Sequence, residues 1–222
     1  MTTLYELLVD QINEYLATAI CVLICIIIPY LLGSVNFALV ISKIFYHDDI
    51  RKYGSGNAGM TNMLRTYGKV AGLGTLLCDM LKATVAVGIG WLTFSYIGGY
   101  MAGFFCMFGH IFPVFFKFKG GKGVATLAAM VLTLDPVCFL ILFVVFLGLV
   151  ITTKYVSLGS VICCMLYPIV TFKLATWGTG FPVLFSFMTA AVVIFMHREN
   201  LKRLLNHTEN KISLSKKNKD KK

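Results

Sequence analysis

Apolar stretches of roughly bilayer length recur along almost the whole chain, at about residues 18–43, 70–95, 97–116, 122–134, 136–152, 155–172 and 181–198. A helix that crosses a bilayer needs about 20 mostly apolar residues, and fewer when neighbours shield it, so this pattern commits the chain to a membrane. Hydrophobic residues make up 58% of the 222 and charged residues 14%, against roughly 25% charged in soluble domains. No soluble fold hides that much apolar surface. The expected fold class is all-α: an integral membrane protein, a compact bundle of about seven transmembrane helices. The second stretch carries Asp79 and Lys82 and must turn them toward protein or water. The fourth is short, and Asp135-Pro136 marks a turn after it, so a five-span reading, with stretches three and four merged or re-entrant, stays open. Residues 1–212 read as one polytopic domain and 213–222 as a basic, disordered cytoplasmic tail.

The distribution of charge orients this bundle. With seven spans and the N-terminus outside, Lys173 alone falls on the outer side and Lys82 lies within a span, which leaves 18 of the 20 Lys and Arg residues inside. That bias fits the positive-inside rule, with a cytoplasmic C-terminus. The net charge of +10 comes largely from the lysines after residue 210. No nucleic-acid-binding module accompanies them, so the tail reads as a solvated segment beside anionic headgroups. The first sixteen residues contain no Lys or Arg, unlike the basic start of a cleaved signal peptide, so the first apolar run reads as a retained anchor. The seven cysteines all lie in apolar stretches with no C-x-x-C pair, which supports neither a zinc site nor a disulfide framework.

Three polar, glycine-rich segments interrupt the apolar sequence, and the expected orientation puts all three on the cytoplasmic side. The first runs Gly54-Ser55-Gly56-Asn57-Ala58-Gly59-Met60-Thr61-Asn62-Met63-Leu64-Arg65. Glycine exposes backbone N–H groups to an anion, Ser55, Asn57, Thr61 and Asn62 add neutral donors, and Arg65 adds a planar fork for two phosphate oxygens. The second runs from Gly109-His110 to Lys119-Gly120-Gly121-Lys122-Gly123-Val124-Ala125-Thr126. It lacks the frame of a nucleotide-binding P-loop, but a helix starting near Gly121 would aim its dipole at a bound anion. The third is His197-Arg198-Glu199-Asn200. There His197 and Asn200 share a helix face, while Lys202 and Arg203 read as a charged interfacial helix end. Asp79 and Lys82, three apart, are within reach of one another and either stiffen the site or help hold an anion.

In this order and at this spacing the three segments resemble the bacterial acyl-phosphate:glycerol-3-phosphate acyltransferase family, PlsY, over about residues 18–212. The family loop usually reads Asn-Pro-Gly-Ala-Thr-Asn; Ala58 and Met60 depart from it, as do Ala83 after Lys82 and His207 before Thr208-Glu209. The resemblance implies a compact protein of the bacterial cytoplasmic membrane, with its active site at the cytoplasmic face. It implies transfer of a fatty acyl group from acyl phosphate to sn-glycerol 3-phosphate, giving lysophosphatidic acid and phosphate, without cofactor, nucleotide, thioester or metal. The expected catalytic residues are Ser55, Arg65, His110, Lys122 and His197. The expected substrate-binding residues are Gly54, Gly56, Asn57, Thr61, Asn62, Lys82, Lys119, Gly120, Gly121, Gly123, Thr126, Glu199 and Asn200. Arg65, Lys122 and His197 are assigned to the glycerol phosphate, and Ser55, the glycine-rich backbone, Asn200 and Lys119 to the acyl phosphate. His110, His197 and the donor phosphate are alternative bases, with Ser55 as a covalent nucleophile a third route. The expected partners are the two substrates, membrane lipids and enzymes that supply acyl phosphate, with no nucleic acid; the oligomeric state is left open. The thioester-dependent signature His-x4-Asp is absent. The rival class is a transporter of a phosphorylated anion, to which a buried Asp79–Lys82 pair would also be suited.

Overall fold

The computed structural model describes residues 2–174 and 180–212; the tail expected at 213–222 lies outside the described residues. The described chain is helical, with no strand among those residues. In order, the helices are α1 (Leu4–Val9), α2 (Glu14–Ser34), α3 (Phe37–Tyr46), α4 (Met60–Tyr67), α5 (Lys69–Ile111), α6 (Val124–Leu134), α7 (Pro136–Thr153), α8 (Val156–Leu174), α9 (Gly180–Met196) and α10 (Arg198–Leu205), with short 3-10 turns at Ile50–Lys52 and Val114–Phe116.

Two of these helices depart from the expected spans. The first apolar run breaks at Val35–Asn36 into α2 and α3: the Asn36 side chain accepts the N–H of Leu39 at 3.1 Å, a cap that starts a new helix. Helix α5 contains non-helical backbone at Phe94 and Ser95 and folds back there into two antiparallel arms, 69–93 and 96–111. Lys82 Nζ lies 3.2 Å from His110 Nδ1 across the hairpin, whereas 28 residues of straight helix would separate them by about 42 Å. Gly90 and Gly98 allow the fold-back, since a Cβ on either would overlap the other's carbonyl oxygen.

Four helical stretches are long and apolar enough to cross a bilayer, and a fifth is gained if α9 and α10, bent by 57°, count as one. These are fewer than the seven expected, for two reasons. The stretch Lys69–Phe116 is a single continuous helix by length but a hairpin in space. Helix α6 has 11 residues, about 17 Å of rise, short of the roughly 30 Å hydrocarbon core. It lies instead against the second arm of α5, where Met107 and Met130 sit fully buried in the main apolar cluster with Tyr100, Tyr167 and Val193. Helix α7 has only Cys138 and Leu142 buried and leaves much of its apolar surface, Val137, Leu140, Val144 and Ile151 among it, exposed as on a lipid-facing helix.

Because Gly90 and Gly98 touch through their backbones, Gly90→Val should force the α5 arms apart at a cost of roughly 1–3 kcal/mol. Thermal unfolding of the detergent-solubilised protein should then shift down by several degrees; an unchanged midpoint would mean the two arms do not meet there.

Candidate active site

The first polar segment is shaped by one amide. Asn62, fully buried on α4, donates from Nδ2 to the carbonyls of Tyr53 (2.9 Å), Asn57 (3.0 Å) and Ile50 (3.2 Å), while its Oδ1 accepts the Ser55 N–H at 3.1 Å. Asn62 also lines the cavity where substrate was expected, but its polar atoms are occupied in fixing the loop. Gly54, at φ +57°, packs against the same amide oxygen. The loop thus presents Ser55, Asn57, Gly59 and Thr61 to a cavity of about 400 Å³, and Arg65 reaches it one turn into α4.

The second segment returns over the end of α5. The N–H groups of Gly120 and Gly121 donate to the carbonyls of Ile111 and His110, each at 3.1 Å. A Cβ at Gly121 would overlap His110 Nε2, so the glycine lies directly on the imidazole and sets the height of the following Lys122. At its other edge His110 meets a buried ion pair, Lys82 Nζ to Asp79 Oδ1 at 2.8 Å, with His110 Nδ1 3.5 Å from the same oxygen. His110, one of the three alternative proton acceptors, lines the cavity but is packed on both nitrogens. Lys82 also donates to the carbonyls of Gly33 (2.9 Å) and Val35 (2.6 Å). Its ammonium is held inside the protein, which corrects the expectation that it contacts substrate. Thr126 is likewise turned inward, onto the Gly123 carbonyl at 2.9 Å.

Two helix N-termini converge on the cavity. Helix α4 starts after Gly59 and α6 after Gly123, neither with a side-chain cap, and Met60, Thr61, Val124 and Ala125 all line the space. Uncapped first-turn N–H groups and the positive end of the helix dipole favour an anion there.

The third segment closes the site. His197, Asn200 and Arg203 repeat at three-residue spacing along the bend into α10, and all three line the cavity. Lys122 Nζ donates to Asn200 Oδ1, and Asn200 Nδ2 donates to Glu209 Oε1 at 2.7 Å. Glu209 also accepts from Arg203 Nε (2.7 Å) and Ser157 Oγ (2.8 Å). His197 Nδ1 lies 2.8 Å from the Val193 carbonyl, which can only accept, so Nδ1 carries the proton and Nε2 keeps its lone pair. Glu199 points away, paired with Lys202 at 3.3 Å and exposed, contrary to the expected binding role. Arg203, read from sequence as a surface charge, belongs to the site instead. Continuing the His197–Asn200 spacing by one further step would have found it.

Lys119, Gly120 and Gly56 line a separate pocket with Arg51 and Lys117, so they do not join Lys122 in the main cavity. Asp79, His110, Ser160 and Asn210 also line it, and the rest of that cavity is largely apolar, with Leu127, Val131, Phe139, Phe143, Phe146, Cys164 and Tyr167.

Charge in the polar end is finely set. Burial, with Arg203 and Arg65 nearby, pushes the Lys122 ammonium down to about 8, Glu209 partly offsetting them. Burial works to raise the Glu209 carboxyl, but hydrogen bonds from Asn200, Arg203 and Ser157 outweigh it and hold it below the usual carboxylate range. Arg65, Lys122 and Arg203 against Glu209 leave a net cationic pocket at neutral pH. Since Lys122 loses its proton as the pH rises through about 8, inorganic phosphate should bind fully below that pH and progressively less tightly above it. Lys122→Arg should move the loss to higher pH; isothermal titration with phosphate between pH 6.5 and 9.5 measures both, and superimposable profiles would exclude Lys122 from the anion site.

The glycerol-3-phosphate acyltransferase family model matches residues 23–207. A glycerol-3-phosphate acyltransferase of Bacillus cereus (strain G9842) is 43% identical over 193 residues, covering 87% of this chain and 96% of that one. One from Thermoanaerobacter sp. (strain X514) is 41% identical over 186 residues, covering 84% and 93%. Among solved structures, the glycerol 3-phosphate form of PlsY (YgiH), an integral membrane glycerol 3-phosphate acyltransferase, superposes with a TM-score of 0.79 at 36% identity over 86% of this chain and 96% of that one. Its lysophosphatidic acid form gives 0.76 at 34%, over 87% and 96%.

Proposed function

Because the chain belongs to the glycerol-3-phosphate acyltransferase family, we propose that its cavity joins an acyl group from acyl phosphate to glycerol 3-phosphate, giving lysophosphatidic acid and phosphate. The observation that carries this reading is the cavity's division into a cationic end, with two uncapped helix N-termini, and an apolar trough. Two phosphates need the first part, and a fatty chain needs the second. Arg65, Lys122, Asn200 and Arg203 hold the glycerol phosphate; Ser55, Asn57 and the first-turn N–H groups of α4 hold the phosphate of the donor. The chain of the donor lies along α6–α8 toward Tyr167. Polar residues gather at one end only, which does not suit a transport pathway.

Transfer then needs no more than alignment. A hydroxyl of glycerol 3-phosphate attacks the acyl carbonyl; the new ester C–O bond forms as the bond from carbonyl carbon to phosphate oxygen breaks, and phosphate leaves. Holding two anions in register supplies proximity of the kind that lowers barriers by roughly 7–11 kcal/mol, and the N–H groups stabilise the developing oxyanion. The hydroxyl proton goes either to the leaving phosphate or to His197 Nε2. We place the seven helical segments α2–α3, the two arms of α5, and α6 through α9 as membrane-embedded, with the mouth of the cavity at the cytoplasmic face of a bacterial inner membrane, where glycerol 3-phosphate is soluble.

Arg65→Ala should lower kcat/KM for glycerol 3-phosphate by about two to three orders of magnitude, the scale for loss of one charged transition-state contact. The assay is phosphate release matched to lysophosphatidic acid from palmitoyl phosphate, without ATP or thioester. A variant that stays monodisperse and retains wild-type turnover would remove Arg65 from the site. His197→Gln separates the proton routes: a loss under about tenfold with the pH profile unchanged assigns the proton to phosphate, and a loss above about a hundredfold with the acidic limb abolished assigns it to His197.

A further inference from the structure

Beyond the catalytic cavity the loops build a second concavity of about 460 Å³, lined by Arg51, Gly56, Lys117, Lys119 and Gly120. Among the described residues no acidic side chain lines it. Arg51 has five N–H donors. Nε and one from Nη2 grip Asp49, and Nη1 donates to the carbonyls of Phe116 and Lys119, each at 3.1 Å. One N–H remains, and the guanidinium itself fastens the 116–119 turn to the first loop. That turn places two consecutive non-glycine residues, Lys117 (φ 58°) and Phe118 (φ 56°), in the left-handed region. Among the described residues neither Lys117 nor Lys119 has an acidic partner within ion-pair distance.

The neighbours of this pocket indicate what fills it. Phe115 and Phe118 are 59% and 57% exposed and alternate with the lysines in Phe115-Phe116-Lys117-Phe118-Lys119. Exposed Phe rings interleaved with long cationic side chains suit a membrane interface, the rings at the acyl boundary and the ammonium groups snorkelling to the headgroups. Arg51, Lys117 and Lys119 against Asp49 leave two positive charges, matching a phosphate monoester dianion better than a diester. We propose that this pocket is a second lipid site, which holds the phosphate monoester headgroup of a membrane-embedded anionic lipid, with its chain against Phe115 and Phe118. It abuts the catalytic cavity through shared loops: Ser55 lines one space and Gly56 the other, Gly120 one and Lys122 the other. A monoester lipid here is positioned next to the reaction without occupying it. The inference rests on the membrane placement of the chain and not on the transfer chemistry, so either can fail alone.

The test counts lipid retained on the purified full-length protein by native mass spectrometry in a zwitterionic detergent. The probes are phosphatidic acid, lysophosphatidic acid and phosphatidylglycerol. Lys117→Asn removes the charge yet suits the left-handed turn, Lys117→Glu reverses it, and Lys117→Arg restores it. Phosphatidic acid retention should fall about fivefold in Lys117→Asn, the scale of one basic contact at a membrane surface, fall further in Lys117→Glu, and recover in Lys117→Arg. Phosphatidylglycerol should be held less tightly than phosphatidic acid. Transfer from a short-chain, water-soluble acyl phosphate should be unchanged in Lys117→Asn, which also reports that the variant is folded. Retention of both monoesters identifies a bilayer lipid, and of lysophosphatidic acid alone identifies the product; both support the site. Equal retention by wild type and Lys117→Glu overturns it. Displacement by an equal concentration of inorganic phosphate overturns the lipid assignment in favour of free phosphate.

Discussion

The buried ammonium of Lys82 joins the parts of the fold that support the second polar segment. It donates to the Gly33 and Val35 carbonyls, left without helical partners where α2 breaks before α3, and pairs at 2.8 Å with the Asp79 carboxylate. The same nitrogen sits beside His110, and Gly121 lies on the far edge of that ring. One cation thus ties the broken first span, both arms of the α5 hairpin and the loop that carries Lys122. A buried charge is tolerable only when fully paired, and removing one partner from such a pair typically costs about 3–5 kcal/mol. The break at Val35, the fold-back at Ser95 and the Gly-Gly turn are consequently one coupled arrangement. Shifting any of them leaves an uncompensated charge or carbonyl in apolar surroundings.

On that base the cavity offers an anion mainly backbone donors. The α4 and α6 N-termini bring N–H groups that cannot rearrange, while Arg65, Lys122 and Arg203 supply charge from three different elements. Glu209 serves the geometry: one carboxylate orients Asn200 and Arg203 together and ties both to Ser157 on α8. The segment after α10 is anchored as well, by the N–H of Ile212 on the Lys154 carbonyl at 2.8 Å. That contact keeps Glu209 over the cavity.

Sequence alone carried the apolar stretches, the turn at Asp135-Pro136 and the three polar segments, because each is written in residue type. Direction is not. Asn62 lines the cavity and Thr126 sits beside residues that do, and only the backbone path decides that one spends its amide on knotting the loop and the other turns back on Gly123. Lys82 reads as a functional intramembrane charge, yet the carbonyls it satisfies exist only because α2 ends at Ser34, and no proline or glycine pair announces that end. Arg203 looked like a surface charge because its partner, Glu209, lies beyond the end of its helix. Lys119 and Lys122, three residues apart, serve different pockets because the Gly-Gly turn between them reverses the chain.

The two-part cavity also determines where selectivity resides. In a soluble enzyme, burying a fatty chain would itself drive binding at about 25 cal/mol per Å² of apolar surface. In the proposed reaction the chain of the donor starts in lipid, which is as apolar as the trough walls, so moving it onto Leu127, Phe139 and Phe143 brings little hydrophobic gain. On the proposed reading, net affinity for an acyl phosphate comes from its phosphate, through the loop that Asn62 fixes and the α4 N-terminus. The trough then acts through shape: a chain too long for it meets Tyr167, almost completely buried at 2% exposure, and pulls the carbonyl out of register with the hydroxyl. Chain length should therefore be felt in kcat more than in KM, since misalignment of the reacting atoms costs rate even when the phosphate remains bound.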